Sequence, residues 1–152
     1  MSKNLISVGS IAVLMGGCSA EREVSLQSGA TVVSALESLG LSVRQVDPAD
    51  HDWLQQLKNI DVAFNALHGP GGEDGVMQGV LSALNIRYTG SGILGSALAM
   101  DKIRSKQLWQ GIGVPTGGFT TLSDSTDWQS VIDQFGKVFV KPACEGSSSG
   151  MA

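Results

Sequence analysis

Short apolar runs, each closed by glycine or a turn, alternate along this chain with longer segments of helical spacing. That alternation constrains the fold more than any other feature. Ile11-Ala12-Val13-Leu14-Met15 is continuously apolar and stops at Gly16-Gly17. A run of that length suits a strand covered on both faces of a parallel sheet. Leu26, Ala30, Val33 and Leu36 then recur at helical spacing, and Gly40 supplies a stop. Ser42 to Val46 alternates as a second strand. Trp53, Leu54 and Leu57 predict a short helix, and Val62 to Leu67 a third strand. Val76, Val80 and Leu84 predict another helix, Tyr88 to Gly92 a short extended turn, and Leu94 to Met100 a further apolar helix. Strands alternating with helices predict βαβ units with right-handed crossovers, hence an α/β fold. Ligands bind at the carboxyl ends of such strands. Two glycine-rich loops, 16–23 and 68–75, fall at those ends.

A different unit is expected to start near Met100, giving domains 1–100 and 101–152. Asp101 can cap a helix running to about Gly111, with Gly113 and Pro115 as terminators. Thr116 to Leu122 reads as a strand, Asp127 to Phe135 as a helix, and Val138 to Val140 as a strand leading into Lys141-Pro142. Glu145-Gly146-Ser147-Ser148-Ser149-Gly150 follows. These elements are too few to close a core.

Composition narrows the function classes. Of the 152 residues, 42% are hydrophobic and 16% charged, which excludes a largely disordered chain. The net charge is -4, and no basic run or aromatic-basic interleaving is present, so nucleic acid is not an expected partner. Cys18 and Cys144 lie far apart and make neither a disulfide framework nor a zinc motif. A reduced, cytoplasmic setting fits them. No apolar run approaches the roughly 20 residues of a membrane span. Lys3, the apolar stretch Leu5 to Gly17, and Cys18 also resemble a bacterial lipoprotein signal. Gly9 and Ser10 interrupt that stretch, and a buried first strand is the preferred reading.

Several side chains could carry chemistry. Glu21, Arg22 and Glu23 follow the Gly-Gly turn at a helix start. A carboxylate there can hold a substrate ammonium, or it can be a solvated acidic first turn. His68 ends an apolar strand, with Glu73 and Asp74 in the next loop. It can contact a carboxylate or move a proton, or simply bond within its turn. Lys102, Arg104 and Lys106 share one predicted helix, where solvated lysines are the common case. Lys141 is expected at the end of a buried strand, where an unpaired ammonium is costly. The glycine-serine loop after it offers amides and hydroxyls to phosphate, without the spacing of a Walker A loop. Neither cysteine has an activating histidine nearby, so small-residue structural roles are expected for both.

Four segments together resemble the D-alanine–D-alanine ligase family. They are Val13-Leu14-Met15-Gly16-Gly17-Cys18-Ser19-Ala20-Glu21-Arg22-Glu23-Val24-Ser25-Leu26 and His68-Gly69-Pro70-Gly71-Gly72-Glu73-Asp74-Gly75. Next come Tyr88-Thr89-Gly90-Ser91-Gly92 leading to Met100-Asp101-Lys102, and Val140-Lys141-Pro142 with Glu145-Gly146-Ser147-Ser148. The resemblance implies a Rossmann-like parallel-sheet domain followed by the start of an ATP-grasp domain. It implies ATP-dependent joining of two D-alanines through an acyl phosphate, for peptidoglycan precursors, in the cytoplasm. By motif position, Glu21 would anchor the first D-alanine's ammonium and His68 would sit near its carboxylate. Lys102, Lys141 and Ser148 would contact ATP phosphates. Ser147 would join a hydrogen-bond network with Glu21. The resemblance also implies Mg2+ and a possible homodimer.

Members of that family are roughly twice this length. The chain therefore reads as an amino-terminal portion, expected to be inactive alone. The metal ligands and the acceptor side, which would distinguish D-alanine from D-lactate or D-serine, cannot be named in it. Ser149 stands where the family has valine. The rival reading is a non-catalytic α/β binding module.

Overall fold

The computed structural model describes residues 9–145. The chain divides into two compact units between Ala97 and Leu98. The first unit is built on a four-stranded sheet. β1 spans Ile11–Leu14, β2 Val43–Val46, β3 Val62–Asn65 and β4 Arg87–Tyr88. The spatial order is β2-β1-β3-β4 and every pairing is parallel. Ile11 lies in register with Val43 on one side and Val62 on the other. Helices α1 (Arg22–Ser38), α2 (Trp53–Gln56) and α3 (Val76–Ala83) connect the strands, so the α/β expectation holds.

The apolar run Ile11 to Met15 is thus the sheet's central strand, and β1 alternates its side chains between two cores. Ala12 and Leu14 join Val46, Leu57, Ala63, Met77 and Leu81 on one face. Val13 and Met15 join Val33 and Ala66 on the other. Burying a side chain such as Leu14, which has no exposed surface, stabilises by roughly 1.5–3 kcal/mol.

The structure shifts the expected stripe of α1. Its buried residues are Ser25, Gly29 and Val33, whereas Leu26 and Leu36 are half-buried and Ala30 is exposed. The reason is proximity. A Cβ on Gly29 would sit 2.4 Å from the Met15 Cβ, so only small side chains let the helix approach β1 this closely.

Helix α4 (Ile93–Met100) runs across the division between the units. The second unit contains α5 (Lys102–Gly111) and α6 (Trp128–Phe135). Asp101 is the expected cap of α5 and accepts from the Arg104 amide; Asp127, expected as the first residue of the next helix, instead caps it, accepting from the amides of Gln129 and Ser130. The Arg104 amide and guanidinium hold Asp101 below the usual carboxylate range. The Ser130 hydroxyl and amide do the same for Asp127.

The two strands expected here, Thr116 to Leu122 and Val138 to Val140, do not form among the described residues. A strand needs ladder bonds to a neighbour, and among the described residues the strand pairings are those of β1 to β4. Among the described residues, no helix is long and apolar enough to cross a membrane.

Candidate functional site

The carboxyl ends of β1 and β3 are adjacent, and the two glycine loops that leave them meet. Gly16 and Gly17 both have positive φ, which frees the chain to turn sharply off β1 into α1. Asp47, just past β2, clamps that turn. Its Oδ1 accepts from the Gly17 amide at 2.9 Å and from the Ala49 amide at 2.9 Å. Arg22 pairs with Asp47 Oδ2 at 2.7 Å and donates to the Gly17 carbonyl at 2.9 Å. Burial pushes the Asp47 carboxyl upward, but the Arg22 bond and the two amides outweigh it and hold the group below the usual carboxylate range. Arg22 is raised in turn, chiefly by its hydrogen bond to Asp47.

Helix α1 then presents polar groups to the strand ends. Ser25 is fully buried. Its hydroxyl donates to the Ala66 carbonyl at 2.8 Å and accepts from the Gly16 amide at 2.9 Å. One hydroxyl thereby ties the β1 turn to the end of β3. Ser19 makes a second tie. Its Oγ donates to the His68 carbonyl at 2.7 Å and accepts from the Glu21 amide at 3.2 Å.

The 68–75 loop is fixed from within. Glu73 accepts from the Gly69 amide at 2.9 Å, and Asp74 accepts from the Gly71 amide at 2.8 Å. The Gly72 carbonyl accepts from Asn65 Nδ2 at 2.8 Å and from Gln78 Nε2 at 2.9 Å. Glu21 approaches this loop next to His68. A Cβ on Gly69 would lie 2.6 Å from Glu21 Oε2, so the carboxylate rests directly against the residue after His68. The His68 ring has Glu73 Oε1 3.8 Å from Nδ1 and Ser28 Oγ 3.1 Å from Nε2.

A carboxylate and an imidazole on adjoining loops at the ends of parallel strands can hold a small zwitterion, the carboxylate taking its ammonium. Sequence reasoning missed Ser25, Ser28 and Asp47. The signal was present: Ser25 and Ser28 fall four and seven residues after Glu21, on one helical face.

In the second unit, Lys102 and Lys141 line one cavity of about 780 Å³, together with Lys106, Lys137, Phe119 and Trp128. That is large enough for a nucleotide-sized ligand. Cationic and aromatic side chains in one cavity suit an anion carrying a flat ring. The Lys102 amide donates to the Ala143 carbonyl at 2.9 Å, and its ammonium donates to the Glu145 carbonyl. These bonds join the start of α5 to the segment that bears Lys141.

Lys141 itself is exposed and Val138 and Val140 are only half-buried, which corrects the expectation of a lysine closing a buried strand. Lys106 is occupied within the fold. It donates to Thr116 Oγ1 at 3.0 Å and the Gly117 carbonyl at 2.8 Å, and lies 5.3 Å from the centre of the Phe119 ring. Ser147 and Ser148 lie outside the described residues. Both cysteines are free and exposed. Among the described residues, no group of three or more His, Cys, Asp and Glu side chains could hold a metal ion.

Comparison with known proteins gives the same direction from sequence and from fold. Residues 42–91 match the family described as D-ala D-ala ligase N-terminus. The D-alanine–D-alanine ligase of Pseudomonas entomophila is 56% identical over 147 residues, covering 95% of this chain and 46% of that protein. The crystal structure of D-alanine–D-alanine ligase from Bacillus anthracis superposes with a TM-score of 0.82 at 34% identity, covering 95% of this chain and 48% of that one. The same enzyme complexed with ATP superposes with a TM-score of 0.78. The chain spans about half the length of the curated relatives it matches. In sequence and in fold, the chain belongs to the D-alanine–D-alanine ligase family and corresponds to the amino-terminal portion of those proteins.

Proposed function

We propose that this chain supplies the first-substrate subsite and part of the nucleotide subsite of an enzyme that joins two D-alanines at the expense of ATP. A free carboxylate is a poor acyl donor. In this reading an oxygen of the first D-alanine's carboxylate attacks the γ-phosphorus of ATP, and ADP leaves. The amine of the second D-alanine then attacks the acyl carbon, inorganic phosphate leaves, and the amine gives up its proton. The product is D-alanyl-D-alanine, a building block for peptidoglycan.

The observation that carries this reading is the packing of the Glu21 carboxylate against Gly69, the residue after His68, where the loops leaving β1 and β3 adjoin. Glu21 would take the ammonium of the first D-alanine, and His68 would stand near its carboxylate. Lys102 and Lys141 would offset charge on the ATP phosphates, which is most of what a protein contributes to phosphoryl transfer. Both line the one cavity, which supports giving them a shared ligand. Ser147 would extend the network around Glu21, and Ser148 would sit beside the phosphates. Mg2+ would offset further charge on the transferred phosphoryl group.

The test is a hybrid enzyme. These 152 residues replace the matching portion of the Pseudomonas entomophila ligase, and ADP release is followed as D-alanine is added. D-alanine-dependent turnover is expected, with Glu21→Gln reducing it by at least tenfold, since a charged hydrogen bond contributes roughly 1.5–3 kcal/mol. A folded hybrid without D-alanine-dependent turnover overturns the reading. The 152-residue chain alone is expected to show none.

A further inference from the structure

Helix α1 carries five hydroxyl residues, and two of them are spent within the helix. Thr31 donates to the Gln27 carbonyl at 3.0 Å and Ser38 to the Ala35 carbonyl at 2.7 Å, the usual habit of helical hydroxyls. Ser28 is different. Its half-buried Oγ lies 3.1 Å from Nε2 of His68, on another element. On the far side of the ring, Glu73 Oε1 faces Nδ1 at 3.8 Å.

A carboxylate only accepts, so its presence favours the proton on Nδ1. Nε2 of the neutral ring is then a bare acceptor, and the Ser28 hydroxyl is the donor that meets it. Ser19 fixes the same residue from its backbone, donating to the His68 carbonyl at 2.7 Å.

We propose that Ser28 is a positioning residue: its hydroxyl, opposite Glu73, sets the tautomer and the rotation of the His68 imidazole. This leaves the ring edge between the two contacts as the surface offered to a ligand. The consequence for catalysis rests on the reading of His68 given above, whereas the coupling itself does not.

The chain has two histidines, and His51 is exposed, so it serves as an internal control. Nitrogen-15 NMR of the 152-residue protein, above the pH at which the rings titrate, reports which ring nitrogen bears hydrogen. His68 is expected to be predominantly Nδ1-protonated. Ser28→Ala is expected to move it toward the Nε2-protonated form, and Ser28→Thr, which keeps the hydroxyl, to retain the original tautomer. His51 should not change. An Nε2-protonated His68 in the unaltered protein, or identical His68 signals in Ser28→Ala, overturns the proposal.

In the hybrid ligase, Ser28→Ala is expected to raise KM for the first D-alanine about three- to tenfold with a smaller change in kcat, the scale of one hydrogen bond. A tautomer change without a KM change upholds the Ser28–His68 coupling. It removes His68 from the substrate reading instead.

Discussion

The first unit surrounds a parallel sheet with two apolar cores, while the second has two helices and long segments that form no strand among the described residues. The difference is visible in the apolar side chains. Leu14, Val46 and Leu81 have no exposed surface, but Ile112 is 64% and Phe139 81% exposed. It is also visible in how candidate site residues are held. Glu21 and His68 are embedded in a mesh of loop and serine hydrogen bonds, whereas Lys141 is exposed on a segment that forms no strand. Precise placement of side chains comes from a sheet whose strand ends are fixed by their neighbours. In the second unit, by contrast, the lysines line an open cavity.

The largest effect is expected where the first unit is densest. Leu14→Ala removes a fully buried side chain from the central strand and should cost about 2–5 kcal/mol in denaturant unfolding. A loss below 1 kcal/mol would mean that the sheet is not the cooperative core of this chain.

Next comes Ser25→Ala. The methyl fits, but the buried Gly16 amide and Ala66 carbonyl lose their shared partner, at roughly 1–3 kcal/mol. The same change should alter the amide signals of Gly16 and Ala66 together. An unaltered spectrum would show that the two strand ends are fixed by something else.

These residues also show where the sequence was legible. The β1 run, the helix following it and the aspartate cap at Asp101 could be read from period and end signals, because those signals are local. The packed face of α1 could not, because it depends on how closely Gly29 approaches Met15, a tertiary fact. The serines were passed over because a polar residue on a helix usually faces water. The expected strands Thr116 to Leu122 and Val138 to Val140 failed for the opposite reason: local propensity is no substitute for a pairing partner. For the site, Glu21 and His68 could be placed at strand ends, but the approach of Glu21 to Gly69, the residue after His68, depends on the order β2-β1-β3-β4.

A smaller, pH-dependent effect is expected from Asp47, which is partly exposed and paired with a more exposed Arg22. Its carboxyl titrates lower in the folded state than in the unfolded one. Between those two values the unfolded chain binds more protons, so stability rises with pH. The stabilisation is full above the unfolded value and is lost as pH falls through the folded one. Asp47→Asn keeps a side-chain acceptor but removes this titration, so the acid limb of the stability profile should flatten. An unchanged acid limb would assign it to other carboxylates.

The smallest effect tests the other side of the contrast. Phe139 lies between Val138 and Val140 on a segment expected to be a strand, and it lines the cavity of the second unit while remaining 81% exposed. An aromatic ring buried in a core costs about 3–5 kcal/mol to truncate. A ring already in water costs almost nothing to replace, because exposed substitutions fall within about 0.5 kcal/mol of zero. Phe139→Ser is therefore expected to leave the thermal midpoint in place and to reduce self-association at high concentration, since it removes exposed apolar surface. The two readouts separate the causes. A midpoint drop as large as that of Ser25→Ala, with no change in association, would mean that the ring is packed inside its own unit and that the second unit has a core after all. A drop that appears only at high concentration would mean that a second copy covers it.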